Sequence, residues 1–339
     1  MVRALQLWLL LALFAGAAML LALASGSLAI APADVLRLLW QPDGGSAAQV
    51  LHTLRLPRAL AAFGVGGLLA VAGALMQVLL RNPLADPYVL GISGGAAVGA
   101  LLALLLAGSA LLVNAGAFAG AMVTIVLVFA LAQRDLSRVD TTARLESAPR
   151  LLLTGVMLAA LWSAVITLLL MLAPEARLRG MLFWLAGDLG GSDASGWPLA
   201  VLALLLLAAW PLARELNVLL RGAASAQALG VSVVRLRRVV YLLASLATAV
   251  AVTTGGAIGF VGLVVPHALR LVAGNDQRVL LPACALAGGT LLLLADTLAR
   301  TINPCLPHVN ARDIVVVFDG PDPQAEQIAR DLSDDIRIV

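Results

Sequence analysis

Nine stretches of this chain are apolar over about the length that carries a helix across a bilayer. They lie at about 4–24, 59–80, 89–107, 112–132, 151–172, 197–213, 239–254, 256–272 and 279–298. A helix that is apolar all round must be surrounded by protein or by lipid. A chain with this many such runs cannot bury them all in a water-soluble core. Composition agrees: 61% of the residues are hydrophobic and 12% charged. A soluble domain carries about 25% charged residues. Disorder is excluded by the hydrophobicity. A transmembrane β-barrel is excluded because the runs are continuous rather than alternating. The fold class expected is therefore an all-α integral membrane protein, a polytopic helical bundle with nine readable spans. The first run, with Arg3 ahead of it and Ala22-Leu23-Ala24 behind, shares features of a signal peptide. Its apolar stretch is longer than an h-region, so it reads as a retained helix.

The few charges are informative. All 22 basic residues are arginine. Without lysine the chain can form neither a normal Walker A site nor a Schiff base. Cys284 and Cys305 have no metal-ligand spacing, and the three histidines form no cluster. With the N-terminus inside and the spans alternating, thirteen arginines fall on the inner side and six on the outer. That excess fits the positive-inside rule. The spans hold almost no ionisable residues, whereas an ion-coupled carrier needs them at membrane depth. The energy for any transport is therefore expected from elsewhere, such as a partner ATPase. An intramembrane enzyme would need paired acids, HExxH or a serine–histidine arrangement in the spans, and the sequence supplies none. The pI of about 9.5 comes from arginines spread over loops, so no nucleic-acid partner is expected. Glycines cluster at 64–73, 91–99 and 255–262, where close helix packing is the expected role.

Residues 54–99 read LRLPRALAAFGVGGLLAVAGALMQVLLRNPLADPYVLGISGGAAVG plus a final alanine at 100. Further blocks follow in order: Phe183-Trp184-Leu185-Ala186-Gly187-Asp188-Leu189, Gly255 through His267, Arg278-Val279-Leu280-Leu281-Pro282 and Leu294-Ala295-Asp296. Together these resemble the membrane subunits of ABC importers for iron-siderophore complexes, haem and vitamin B12, the FecCD/BtuC-type permeases. The resemblance implies a BtuC-like bundle of ten helices per subunit, paired as a homodimer or with a close paralogue around a shared path. It implies two cytoplasmic ABC ATPase subunits, a substrate-binding protein on the outer face, a lipid surround in the bacterial inner (cytoplasmic) membrane, and no cofactor. The permease itself would be a transport subunit and not an enzyme. An iron chelate, siderophore or haem, is the cargo expected from the breadth of the family. Cobalamin is the alternative, and a secondary transporter without an ATPase is the alternative of another class.

The resemblance also assigns residues. The loop after the sixth span would form the ATPase coupling element, with Arg221, Gly222, Ala223, Ala224, Ala226, Leu229 and Gly230. Gly230 can end a short helix in a left-handed cap. The family commonly has acids where Ala223 and Ala224 stand. Arg55 and Arg58 bracket Pro57 at the outer start of the second span. They are the expected docking points for acidic groups of the binding protein, with Arg300 as a third.

The resemblance covers about residues 1–300, the expected transmembrane domain. Residues 301–339 depart from it. They hold three arginines against seven acids, a net −4, whereas the preceding residues hold nineteen arginines against twelve acids, a net +7. A strand-like run at 313–318, a polar helical stretch at 323–333 and a last apolar run at 336–339 give a soluble β-α-β pattern in place of a tenth span. A changed reading frame or gene junction, an appended segment, and a nine-span protein with an outer C-terminus all fit this tail. Under the nine-span topology, a reporter that fluoresces only in the cytoplasm should stay dark when fused to Val339. A bright signal excludes that topology.

Overall fold

The computed structural model describes residues 2–26, 30–42, 44–106, 108–137, 147–187, 189, 196–302, 315–316 and 337–338. Arg138, Arg144, Asp188, Cys305 and most of the tail lie outside them. Each of the nine apolar runs contains a helix over most of its described length. The first forms α1 (Val2–Ala24). Two short surface helices, α2 (Pro32–Trp40) and α3 (Ser46–Val50), lead through a π-helical turn, Leu51–Arg55, into α4 (Leu56–Leu79). A 3-10 turn, Pro87–Leu90, precedes α5 (Ile92–Leu105), then α6 (Ala110–Ser137), α7 (Ser147–Leu172) and α8 (Glu175–Ala186). The second half comprises α9 (Trp197–Ala209), α10 (Ala213–Leu220), α11 (Ala223–Ala228), α12 (Val233–Gly255), α13 (Val261–Ala273) and α14 (Gln277–Ile302).

Among the described residues, six helices are long and apolar enough to cross a membrane. The other three runs differ from simple spans. The run at 197–213 breaks after Ala209, and α10 leaves it at 64°. Pro211 accounts for the break: it has no N–H to give and its ring clashes with the preceding turn. The run at 256–272 becomes α13, which starts only after Phe260, held in the left-handed region at φ 68°. At about 1.5 Å per residue, the thirteen residues of α13 span about 20 Å. The 14-residue α5 is similarly short and gains length from the 3-10 turn before it.

Helix α4 is the centre of the bundle. It is buried along almost its full length and packs against α14, α12, α13 and α9, while α5 packs against α6 and α7 in the neighbouring layer. Lipid tails are as apolar as leucine, so membrane helices gain little from simple apolar burial and depend on close packing. Two glycine contacts show how close. A Cβ on Gly66 would lie 2.3 Å from the Gly288 carbonyl of α14, and one on Gly73 would lie 1.9 Å from the Gly262 carbonyl of α13. Side-chain bonds add crosslinks: Tyr241 Oη donates to the Ile125 carbonyl at 2.7 Å, joining α12 to α6. In the tail, strand β1 (Val315–Val316) pairs in parallel with β2 (Arg337–Ile338). The polar helical stretch expected at 323–333 lies outside the described residues.

Gly73→Val should force α4 and α13 apart and lower stability by about 1–3 kcal/mol, the cost of overpacking a tight interface. Thermal unfolding in detergent checks this. Gly16→Ala, where nothing lies within 4 Å of the added carbon, should not lower the midpoint, since alanine is the better helix former.

Candidate docking and coupling sites

Helix α4 runs antiparallel to α1 and α14, so side chains far apart in sequence meet at two ends of the bundle. Trp8 near the start of α1 donates to the Val279 carbonyl at the start of α14, at 3.1 Å. Arg58 at the start of α4 meets Asp296 near the end of α14. From Arg278 to Arg300, α14 rises about 33 Å, close to the thickness of a bilayer core of about 30 Å. One end therefore carries Asp296, and the other carries α10 and α11.

At the Asp296 end the three predicted docking arginines lie close together. Arg58 straddles the Asp296 carboxylate, with Nε at 3.0 and 3.2 Å and Nη2 at 2.9 Å. This is the forked geometry that makes an arginine–carboxylate pair strong. Arg300 Nε lies 3.1 Å from the other oxygen of the same carboxylate, one helical turn away along α14. Asp296 itself is buried, while the Arg58 and Arg300 side chains keep 26% and 22% of their surface exposed. Arg55 is placed differently from the expected surface position. It is 5% exposed, and its Nη1 donates to the Leu23 and Ala24 carbonyls at 2.8 and 3.2 Å. Those carbonyls end α1 and have no intrahelical donor, so Arg55 caps a helix from inside the bundle. Two half-exposed guanidiniums with one shared carboxylate leave this patch positive. Its outward face belongs to Arg58 and Arg300.

At the opposite end, the predicted coupling loop folds into two short helices. Helix α10 is amphipathic, with Ala213, Leu216 and Leu219 buried. Helix α11 is short and is held at both ends. Gly222, at φ 125°, takes a conformation open to glycine, and its carbonyl accepts from Ala226 N at 3.0 Å. After α11, Gly230 turns left-handed at φ 80°. Gly230 N donates to the Gln227 carbonyl and Val231 N to the Ala226 carbonyl, each at 2.9 Å. This crossed pair is a Schellman cap, and it closes the helix where the sequence predicts. Ala226 faces the bundle and is fully buried, and Ala223 packs against the same core. Ala224, Ser225, Gln227, Ala228 and Leu229 face outward, Leu229 with 68% of its surface exposed. The outer face of α11 is thus small and smooth with one apolar knob. Arg221, just before it, is exposed.

Beside α11 a cavity of about 890 Å³ opens, lined by Arg81, Arg214, Arg221, Arg270 and Arg278 together with Asp276, Asn217 and Gln77. Sequence reading passed over most of this cavity. One local signal was present: Asp276 stands where a helix N-cap belongs. Its Oδ1 accepts from Arg278 N at 3.0 Å and from Asn217 Nδ2 at 2.7 Å, while Gln277 N donates to Asn217 Oδ1 at 2.8 Å. These bonds strap α10 to the start of α14. Partial burial pushes the Asp276 carboxyl up, but the bonds from Asn217 and Arg278 outweigh it and hold the group below its ordinary value. The carboxylate's share of the strap is therefore complete at neutral pH and weakens only as the pH falls below the ordinary aspartate range, while the Gln277–Asn217 bond does not titrate. Gln77 joins the ends of α4 and α13: its Oε1 accepts from Arg270 Nη1, and its Nε2 lies 3.4 Å from the Gly262 and Leu263 carbonyls.

Comparisons with known proteins agree on one relationship. The sequence profile of the FecCD transport family matches residues 10–315. The match extends past residue 300, where the family pattern was expected to end. The cobalamin import system permease protein BtuC of Halobacterium salinarum is 44% identical over 256 residues, covering 74% of this chain and 66% of that protein. The chain thus spans just under two thirds of that relative's length. The vitamin B12 import system permease protein BtuC of Escherichia coli is 40% identical over 288 residues, covering 84% of this chain and 83% of that protein. A solved structure described as an inward-facing conformation of a metal-chelate type ABC transporter superposes with a TM-score of 0.76 at 30% identity. It covers 88% of this chain and 91% of that one.

Asp296→Asn should leave two partly buried guanidiniums without their shared carboxylate. The expected cost is about 2–3 kcal/mol, because a charged hydrogen-bond network loses its anion. Thermal unfolding of the purified protein checks the magnitude. An unchanged midpoint would show that the cluster contributes nothing to the fold.

Proposed function

Because the chain belongs to the FecCD transport family, we propose that it is the membrane-spanning permease subunit of an ATP-driven importer and that its cargo is cobalamin. The observation that carries the cargo is the 40% identity, over most of both chains, to a relative named for vitamin B12 import. The iron chelate expected from the sequence has no comparable support. A metal-chelate transporter as structural neighbour agrees with either cargo, since cobalamin is itself a cobalt chelate.

In this reading the bundle sits in the cytoplasmic membrane with the α11 end inside. Two copies of the chain enclose the path. A separate pair of ATPase subunits receives α11, whose outward residues Ala224, Ala228 and Leu229 offer an apolar contact free of side-chain bulk. Alanine at 223 and 224 removes acidic groups common in the family, so this contact rests on shape more than on charge. The binding protein docks at the Asp296 end. Arg58 and Arg300 meet its carboxylates there, which orients the encounter and speeds it. Asp296 keeps the two cations together and aims them, and Arg55 fixes the end of α1 beneath them. The permease performs no covalent step; it presents one face to the motor and the other to the delivery protein.

Uptake tests the cargo. Cells lacking their own cobalamin permease, supplied with this chain, its ATPase and its binding protein, should accumulate labelled cobalamin. Excess unlabelled cobalamin should suppress the signal, and a ferric siderophore should not. Accumulation of the ferric siderophore instead would replace cobalamin with the iron chelate. Uptake that persists without any ATPase would overturn the importer reading.

The coupling loop has its own test. Gly230→Pro cannot adopt φ 80° and removes the N–H that caps α11. The variant should still insert and elute as a single species. Its cobalamin uptake should fall by about tenfold or more, the effect of losing about 1.4 kcal/mol or more at a coupling contact. Normal uptake by the variant would remove α11 from the coupling role.

A further inference from the structure

The space inside the cavity beside α11 is given no ligand by the transport reading, and its chemistry is one-sided. Five guanidiniums and a single carboxylate, Asp276, line it. That carboxylate is already engaged by Asn217 and by Arg278, whose Nε lies 3.4 Å away. Arg81, Arg214 and Arg221 have no carboxylate partner among the described residues. At about 890 Å³, the space exceeds what a lone inorganic ion needs and falls in the range of pockets that receive small organic ligands. Guanidinium forks suit phosphate oxygens, because each can give two parallel hydrogen bonds to one tetrahedral group.

The position of the cavity narrows the source of that anion. All five arginines sit at helix ends: Arg81 just past α4, Arg214 in the first turn of α10 and Arg221 just past its end, Arg270 in the last turn of α13, and Arg278 in the first turn of α14. The same rim carries the marks of a membrane interface. Trp210, 53% exposed, donates its indole N–H to the Arg278 carbonyl at 3.1 Å. An amphipathic ring of this kind favours the headgroup level. Leu271 and Val272, the two residues after Arg270, are each 78% exposed and offer an acyl chain a surface.

We propose that this cavity binds the phosphate group of an anionic phospholipid headgroup, with the acyl chains against Leu271 and Val272. Basic pockets between membrane helices on the inner side take such headgroups. A bound headgroup would join the ends of α4, α10, α13 and α14, next to the segment proposed to contact the ATPase. A soluble phosphate would use the same forks without the apolar contacts. The inference goes beyond the transport reading, and a binding readout keeps it separate from cargo and uptake.

Native mass spectrometry of the full chain in detergent tests it, with dioleoylphosphatidylglycerol or dioleoylphosphatidylcholine added. The protein should retain phosphatidylglycerol in preference to phosphatidylcholine. Arg214→Gln combined with Arg278→Gln should weaken phosphatidylglycerol retention by about thirtyfold, the loss expected for two cation–headgroup contacts. Arg81→Gln alone gives a milder second variant in case the double one fails to fold. Arg179→Gln, an arginine outside the cavity, should bind as the unaltered chain does. Sodium phosphate in a thermal-shift series forms the second arm. Protection by phosphate that the variants lose, with lipid retention equal in all proteins, would still support a phosphate site and assign it to a soluble source. Equal behaviour of all proteins toward both probes overturns the proposal. So does unchanged probe binding in variants that no longer copurify with the ATPase, which would make the cavity a protein contact.

Discussion

Close backbone contact along α4 is the constraint on which the rest of this bundle depends. In a bilayer the apolar effect does little to bring helices together, and every backbone polar group must be satisfied within the protein. Packing must then come from surfaces that approach within van der Waals range. Gly66 against Gly288 and Gly73 against Gly262 provide it, because no side chain stands between the helices. Those contacts fix α14 and α13 on α4. Once α14 lies antiparallel to α4, Asp296 must fall beside Arg58, and Arg278 must fall near the far end of α4.

That arrangement separates two kinds of polar surface by about the thickness of the membrane. At one end, Asp296 gathers Arg58 and Arg300 into a positive patch that stays partly open to solvent. At the other, a break at Pro211 turns the chain out of the bundle into α10 and α11. The Asp276–Asn217 strap then holds α10 against the start of α14. Helix α11 packs on α10, and α10 is tied to α14, whose far end holds Asp296.

Much of the local structure was legible from the residues. Apolar runs marked the helices because lipid imposes a minimum length and polarity on any span. Gly230 after a short alanine-rich segment predicted a left-handed cap, since few other residues take that conformation, and the Schellman pair formed there. The ion pair between Asp296 and Arg300 follows from their i,i+4 spacing. Arg55 was the instructive exception. Its sequence position, three residues before Arg58 and two before Pro57, suggested a surface partner for an acidic protein. The π-helical turn at Leu51–Arg55 instead directs it inward to the carbonyls that end α1.

By itself, the sequence determined that the chain is a polytopic helical membrane protein, where its helices run, which segment forms the short capped helix and which family its motifs resemble. Those properties depend on composition, local spacing and backbone preference. Tertiary structure decided which charges share a site. Arg58 and Asp296 are 238 residues apart, and the five arginines of the cavity come from the ends of four different helices. Only the seating of α14 and α13 on α4 by the glycine contacts brings them together, because long-range pairing depends on how whole helices are seated and leaves no mark on local sequence.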